Sequence, residues 1–465
     1  MKKTLIKGGS LVTMDEDLGE FRGDVLIGDD RILEVAASID PAGVDEVVDA
    51  SDSVVLPGFV DCHNHLWQAP IRGLAASCWG REYFGVIHPL AGRYRPQDMH
   101  DATFGAAAEL LLNGVTTVFD FCHATNSPDH ARASLSALDS AGIRAVFGFC
   151  FRPRPEAGES SFDALDERVE VLRELASERT PDDRVQLGAA LNNIDHVTLE
   201  EHAKEVRAAR DIGLVSTLHS NLPGQVTASH ELGLLGPDVL WVHAGPATDA
   251  ELTLLREEGG TIVSTPQIEA GNMGIVPMIG RAVQHGVPLV FGVDATAAVN
   301  GDFLAHLRIG HTLSRLTEAL AERAAGRSGV RTPTFPSVDA TALLRMATLD
   351  SARALGLADR VGSLTPGKQA DVLVLRTGPF GTGAGSVADH VVFQASARDI
   401  DLVLVAGVPR VRAGALTGVE LPGLRTRLDA VRDWVLGRAP GSEWPELTAE
   451  DRKRYEEGQG KAVPA

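Results

Sequence analysis

Cysteine is scarce in this chain and never closely paired. Four residues (Cys62, Cys78, Cys122 and Cys150) are spread over 465, with no CxxC pair. That argues against a disulfide framework and for the reduced thiols of a cytoplasmic protein. Basic charge is also in deficit: 43 Lys and Arg against 63 Asp and Glu leave a formal net charge of -20. Nucleic acid or an anionic membrane would demand a basic face, so neither is expected as a partner. No apolar run is long enough to span a bilayer, and Met1–Gly9 lacks the apolar core of a signal peptide. What is present, 44% hydrophobic and 23% charged residues, is the composition of a globular enzyme with a small-molecule substrate. The length accommodates a large barrel plus a smaller module.

The chain changes texture twice. From Thr4 to Leu56, short strand patterns (Thr4–Ile6, Leu11–Thr13, Asp24–Ile27, Arg31–Val35, Val54–Leu56) alternate with Gly-rich turns. After His65, helical stretches alternate with apolar strands at Thr116–Phe121, Ala145–Phe149, Val185–Ala189, Val215–His219, Leu240–His243, Thr261–Ser264 and Leu289–Val293. That rhythm predicts an α/β fold with a parallel (β/α)8 barrel of TIM type. Strand texture returns at Asp371–Leu375, Val391–Phe393 and Leu402–Val405. The simplest organisation is a small β-sandwich built from both chain ends, residues 1–57 and 367–420, with the barrel, residues 58–366, inserted between. Residues 421–465 read as an amphipathic helix (Leu424, Leu428, Val431, Val435) and an extended arm from Arg438. Such an arm either crosses a partner in a homodimer or higher homo-oligomer, or frays.

The segment Leu56-Pro-Gly-Phe-Val-Asp-Cys-His-Asn-His65 carries the clearest chemistry. Residues two apart on a strand point the same way, so His63 and His65 together can grip a divalent cation. In a TIM barrel, reacting groups gather at the C-terminal ends of strands. His219, His243 and Asp294 end three later strands. Any one of these histidines alone reads equally well as a hydrogen-bonded core residue. Four histidines and an aspartate all at strand ends instead describe a metal site with room for a water, a hydrolytic arrangement.

The chain resembles the amidohydrolase superfamily, in the branch of chlorohydrolases and of cytosine, guanine and adenosylhomocysteine deaminases. The resemblance rests on Pro57–His65, Gly114-Val-Thr-Thr-Val-Phe-Asp120, Gly292-Val-Asp294, Ala347-Thr-Leu-Asp-Ser-Ala-Arg-Ala-Leu-Gly-Leu357 and Val361-Gly-Ser-Leu-Thr-Pro-Gly-Lys-Gln-Ala-Asp371. It implies that His63, His65, His219 and Asp294 hold one metal ion, Zn2+ before Fe2+ or Mn2+, and that His243 stands beside the activated water. No lysine ends the fourth strand, so the two-metal variant of the superfamily is not expected.

The resemblance also exposes a departure. Deaminases of this branch carry His-x-x-Glu on the fifth strand, where Glu protonates a ring nitrogen; here the segment is His219-Ser-Asn-Leu222. Leucine cannot transfer a proton, and a general acid contributes on the order of 10²–10⁴-fold. Glu269 is the replacement acid expected from sequence, weighed evenly against a solvated loop residue. Trp67, Gln68 and Arg72, in the first loop after a strand, are expected as substrate contacts, although Arg72 reads more readily as a loop brace. Trp79, Tyr83, Phe84 and His88 read as packing of that loop or as a lid; His123 reads as facing the site or supporting it. Asp302 reads as a helix-start charge. The functional expectation is cleavage of a C–N bond in a small nitrogen compound, first by deamination of an aminated heterocycle. Hydrolysis of an amide, cyclic amide or carbon–halogen bond by the same site is the alternative, and a non-catalytic barrel scaffold is the third reading.

Overall fold

The computed structural model describes residues 2–151, 164–326 and 338–437; the expected extended arm lies outside them. Eight strands form the barrel: β1 (Phe59–Asn64), β2 (Val115–Cys122), β3 (Arg144–Cys150), β4 (Val185–Ala190), β5 (Ser216–Ser220), β6 (Val239–His243), β7 (Thr261–Ser264) and β8 (Leu289–Phe291). They neighbour one another in chain order, all in parallel. Each matches an apolar run read from the sequence. The helices fall between them as the rhythm requires, among them Pro96–Leu112 and Pro128–Ala141.

The wall is built by alternation. Phe119, Phe121, Leu240, Val242, Val263 and Val290 belong to one apolar cluster, and their chain neighbours Val118, Cys122, Trp241, Ile262, Leu289 and Phe291 to another. The barrel closes just beyond β8. Asn64 bridges Asp294, the His65 N–H donates to the Asp294 carbonyl at 2.8 Å, and the Asp294 N–H donates to the His63 carbonyl at 2.8 Å. A Cβ on Gly292 would stand 2.7 Å from the His63 carbonyl oxygen, so this approach requires glycine.

Both chain ends meet in the second domain. Lys3–Val12, Glu20–Gly28, Arg31–Ala36, Glu46–Asp49 and Ser53–Pro57 join Val372–Arg376, Ile400–Val405, Val408–Arg412 and Ala415–Leu416 in one nine-stranded mixed sheet. The seam is the antiparallel pairing of Ser53–Pro57 with Val372–Arg376. Val55, Val372, Val374, Leu402 and Leu404 face the sheet's own core. Val54, Leu56, Leu373, Leu375, Val403 and Val405 join the large core that also takes in the barrel helices. A buried ion pair ties the two domains. Arg144, at the start of β3, donates through Nε and Nη2 to the two Asp371 oxygens at 3.0 Å each, and the Ala406 N–H adds a third bond at 2.8 Å.

Two local expectations change. Thr4–Ile6 and Leu11–Thr13 are one strand, Lys3–Val12, with a register shift between Ile6 and Gly9. Val391–Phe393 is not a strand but part of a π-helical turn, His390–Gln394. Its Val391 and Val392 are buried and its end is fastened by Arg308, whose Nη1 donates to the Ala395 carbonyl at 2.6 Å. A short apolar run carries no period, and here a helical neighbour took it instead of a sheet edge. The amphipathic C-terminal helix is Leu421–Val435, burying Leu424, Val431 and Val435. No helix among the described residues is long and apolar enough to cross a membrane.

Candidate active site

The strand ends converge. Ligand atoms of His63, His65 and His219 all lie within 4.8 Å of one another. Asp294 completes the group: its Oδ1 is 3.2 Å from His65 Nε2 and 3.7 Å from His63 Nε2, and its Oδ2 is 3.7 Å from His243 Nε2. His65 Nδ1 lies 2.8 Å from the Phe121 carbonyl, a contact that requires an N–H on Nδ1 and leaves the Nε2 lone pair toward the cluster. Neither ring nitrogen of His63 has a hydrogen-bond partner among the described residues, although the side chain is fully buried. Buried polar atoms are normally paired, and a cation at this cluster would supply the missing partner.

The electrostatics agree with a cation site. Burial pulls the His63 pKa down to about 4, and burial, with neighbouring imidazoles adding to it, holds His219 well below its usual value. Both rings are therefore neutral, with lone pairs free to donate. Burial alone would raise Asp294, but the adjoining His63 and His65 outweigh it and keep this carboxylate well below its usual range. Three imidazoles and one carboxylate are a donor set suited to a single divalent transition metal.

Supporting groups fix these side chains. Asp61, fully buried, accepts from the His63 and Val293 N–H groups at 3.2 and 3.1 Å and from the Asn64 amide at 2.8 Å. It thereby holds the ends of the first and last strands together. Burial lifts its pKa to about 7. His243 and Asp294 both have positive φ, 68° and 74°, a backbone conformation that costs a non-glycine residue about 1–3 kcal/mol and recurs at functional sites.

Thr265 was not singled out from sequence, yet it stands between two of the reacting groups. Its Oγ1 lies 3.1 Å from His243 Nδ1 and 3.3 Å from Asp294 Oδ2. Glu269 lies behind it. Its carboxylate accepts from the Ser264 hydroxyl at 2.7 Å and the Thr265 N–H at 2.8 Å, and stands 3.6 Å from His243 Nδ1. Glu269 is fully buried and does not line the cavity, whereas Leu222 does. Glu269, expected as a proton donor to substrate, has its carboxylate turned back onto the strand end by the short step from Ser264.

The cavity over the cluster encloses about 280 Å³. His65, His219, His243 and Asp294 form its floor, and Tyr83, Phe84, His88, His123, Leu222, Ile268 and Ile275 are among its walls. Trp67, Gln68 and Arg72 do not line it. The turn Leu66–Ile71 is buried throughout, with Trp67 packed edge-on against Tyr94 at 5.3 Å. Gln68 donates to the Tyr83 hydroxyl at 2.8 Å, reaching the cavity only through that ring. Arg72 makes a two-bond pair with Glu109, one bond at 2.6 Å. Asp302 caps the helix Phe303–Ala324, accepting from the Ala305 N–H at 3.1 Å. The sequence reading also passed over Asn192, Asn193, Asp195 and His196, which follow β4 and line the cavity. The strand-end rule that found the histidines would have found them.

A profile described as the amidohydrolase family matches residues 54–410. The chain belongs to that family. It is accordingly a hydrolase acting on carbon–nitrogen bonds other than peptide bonds. Among curated relatives, it is 26% identical over 423 residues to a 5'-deoxyadenosine deaminase of Methanothermobacter thermautotrophicus, covering 86% of this chain and 92% of the relative. It is also 26% identical over 422 residues to a 5-methylthioadenosine/S-adenosylhomocysteine deaminase of Thermococcus kodakarensis, covering 87% and 92%. The fold is shared with a zinc-bound adenosine deaminase from Xanthomonas campestris (TM-score 0.80, 22% identity, 93% of this chain and 98% of that one). It is shared too with an atrazine chlorohydrolase from Arthrobacter aurescens complexed with zinc (TM-score 0.79, 21% identity, 92% and 100%).

Proposed function

We propose that this amidohydrolase deaminates an aminated heterocycle at a single zinc ion held by His63, His65, His219 and Asp294. The observation that carries this reading is the buried His63, whose two ring nitrogens lack hydrogen-bond partners among the described residues, inside a cluster of three imidazoles and a carboxylate. The relatives named as deaminases of adenosine derivatives support the choice of heterocycle. None of the four cysteines forms a disulfide, which supports a reducing, cytoplasmic setting.

When bound, such an ion acidifies a water molecule, drawing its pKa from roughly 15.7 toward about 7. The protein's own groups do the rest. Asp294 is held ionised by the histidines and accepts the proton of the attacking water. The Thr265 hydroxyl donates to Asp294 Oδ2 and accepts from His243 Nδ1–H, a tautomer that the Glu269 carboxylate 3.6 Å away favours. His243 Nε2 is then the lone-pair nitrogen on the Asp294 side, placed to orient the water as it adds to the C–NH2 carbon. Asp294 returns the proton to the departing ammonia.

The test is ammonia release by the zinc-loaded protein from a panel of aminopurines, aminopyrimidines and their nucleosides. Activity that disappears in His63→Ala together with the bound zinc supports the reading. A metal-loaded protein that releases no ammonia from any of them refutes it. One observation favours a second reading: Leu222 lines the cavity and offers no proton. Release of an amine or halide without ammonia, from amide or halogenated substrates, would establish hydrolysis of those bonds instead. The scaffold reading predicts sub-stoichiometric metal that His63→Ala leaves unchanged.

A further inference from the structure

The floor of the cavity is buried, but its β4 side is a half-open polar rim. Asp195 and His196 follow β4 with side chains 28% and 32% exposed, Oδ2 and Nε2 3.7 Å apart. Asp195 and Asp294 are the only carboxylates lining the cavity among the described residues, and Asp294 is committed to the floor. Two interactions hold the rim in place. The fully buried Glu205 accepts from the Asn192 N–H at 2.9 Å and the Asn192 amide at 2.6 Å. Gln225 donates to Asp195 Oδ1 at 3.2 Å while its own oxygen accepts the Asn221 and Leu222 N–H groups at 2.9 and 3.1 Å.

Gln225 thus fixes the Asp195 carboxylate against the loop that carries Leu222. Beside it, the buried Asn221 Oδ1 has no hydrogen-bond donor among the described residues. The rim therefore presents to the cavity a partly exposed carboxylate that is held in place at one oxygen. A substrate whose reacting carbon sits over the histidines would bring its remote substituent to this edge. A carboxylate has two oxygens and can accept from neighbouring hydroxyl groups, as carboxylates bind ribose hydroxyls elsewhere.

We propose that Asp195 is a specificity-determining residue that accepts hydrogen bonds from a hydroxylated, sugar-like substituent on the heterocycle. This deepens the deaminase reading and rests on it. It makes the substrate a nucleoside-like molecule rather than a bare base.

The experiment pairs adenosine, guanosine and cytidine with their 2',3'-dideoxy counterparts, using the full-length, zinc-loaded chain. For the deaminated pair, wild type should prefer the hydroxylated member in kcat/KM by at least about tenfold. Asp195→Ala should abolish that preference by raising KM with kcat little changed, and leave the dideoxy member unaffected. Asp195→Asn, which keeps an acceptor oxygen, should retain part of it. Equal loss on both members, or no loss, overturns the proposal. If wild type deaminates none of the nucleosides but does deaminate bare bases, the proposal falls while the deaminase reading stands. If nothing is deaminated, that reading fails, and calorimetric binding of the same pairs decides on Asp195. Tighter binding of the hydroxylated member, lost in Asp195→Ala, supports the proposal; no such difference overturns it.

Discussion

Two buried polar centres lie at different places in this molecule and obey opposite rules. Where the barrel meets the terminal sheet, Arg144 and Asp371 are joined by two bonds and both Asp371 oxygens are engaged, with Arg144 Nη1 left over. At the cavity floor, the His63 ring nitrogens have no hydrogen-bond partner among the described residues, and His243 and Asp294 sit in costly backbone conformations. The first centre contributes cohesion between domains. The second leaves its donors uncommitted, which is what a site awaiting a cation and a substrate requires.

That contrast can be broken by mutation. The largest effect is expected at the floor. His63→Ala should lower activity by at least about 10³-fold and remove the bound zinc, measured by elemental analysis, with little loss of folding. Retention of stoichiometric zinc would show that the floor is not a cation site. At the domain junction the effect should fall on stability. Asp371→Ala leaves Arg144 buried without its partner and should cost about 3–5 kcal/mol in chemical unfolding, with activity per folded molecule retained. Thr265→Val should sit between the two, lowering kcat by about 10–100-fold through loss of the His243 and Asp294 contacts, with an unchanged melting temperature.

Glu205 gives a pH-dependent test. Burial raises its pKa from 4.5 to about 7, so the folded chain holds this proton where the unfolded chain has lost it. The contribution to stability is present below about pH 4.5 and is lost as pH rises through 7. Glu205→Gln cannot titrate there. The melting temperature of wild type minus that of Glu205→Gln should therefore decrease between pH 5 and pH 8. A gap independent of pH would place the Glu205 pKa near its unfolded value. The smallest effect is expected at Arg72, whose side chain is 48% exposed. Arg72→Ala should change stability by less than about 1 kcal/mol and leave KM unaltered, since exposed ion pairs contribute little.

The parts legible in the sequence were those governed by short-range repetition. An apolar run that ends in a histidine, read with the period of a strand, locates His63, His65, His219 and His243 without knowledge of the fold. The loops were less legible because nothing local decides which way their side chains turn. Trp67 reads equally well as a stacking platform or as core. Only the buried turn Leu66–Ile71 and the Tyr94 ring settle that it is core. Glu269 depended on Ser264 and Thr265 folding back to meet it, a contact set by the turn after β7. Asp195 follows β4 and Gln225 follows β5, so their pairing appears only when the two strands stand side by side.

The backbone that seals the barrel belongs to the residues that line its reactive end. His63, His65 and Asp294 exchange main-chain bonds across the junction between the first strand and the end of the last. During synthesis the first strand leaves the ribosome long before the eighth. A nascent chain would therefore carry half of the proposed cation grip with nothing to complete it, and the full set of side chains assembles only when the final strand docks. Metal capture in the cell would then follow completion of the barrel, and the ion would act as a late latch on a ring already closed.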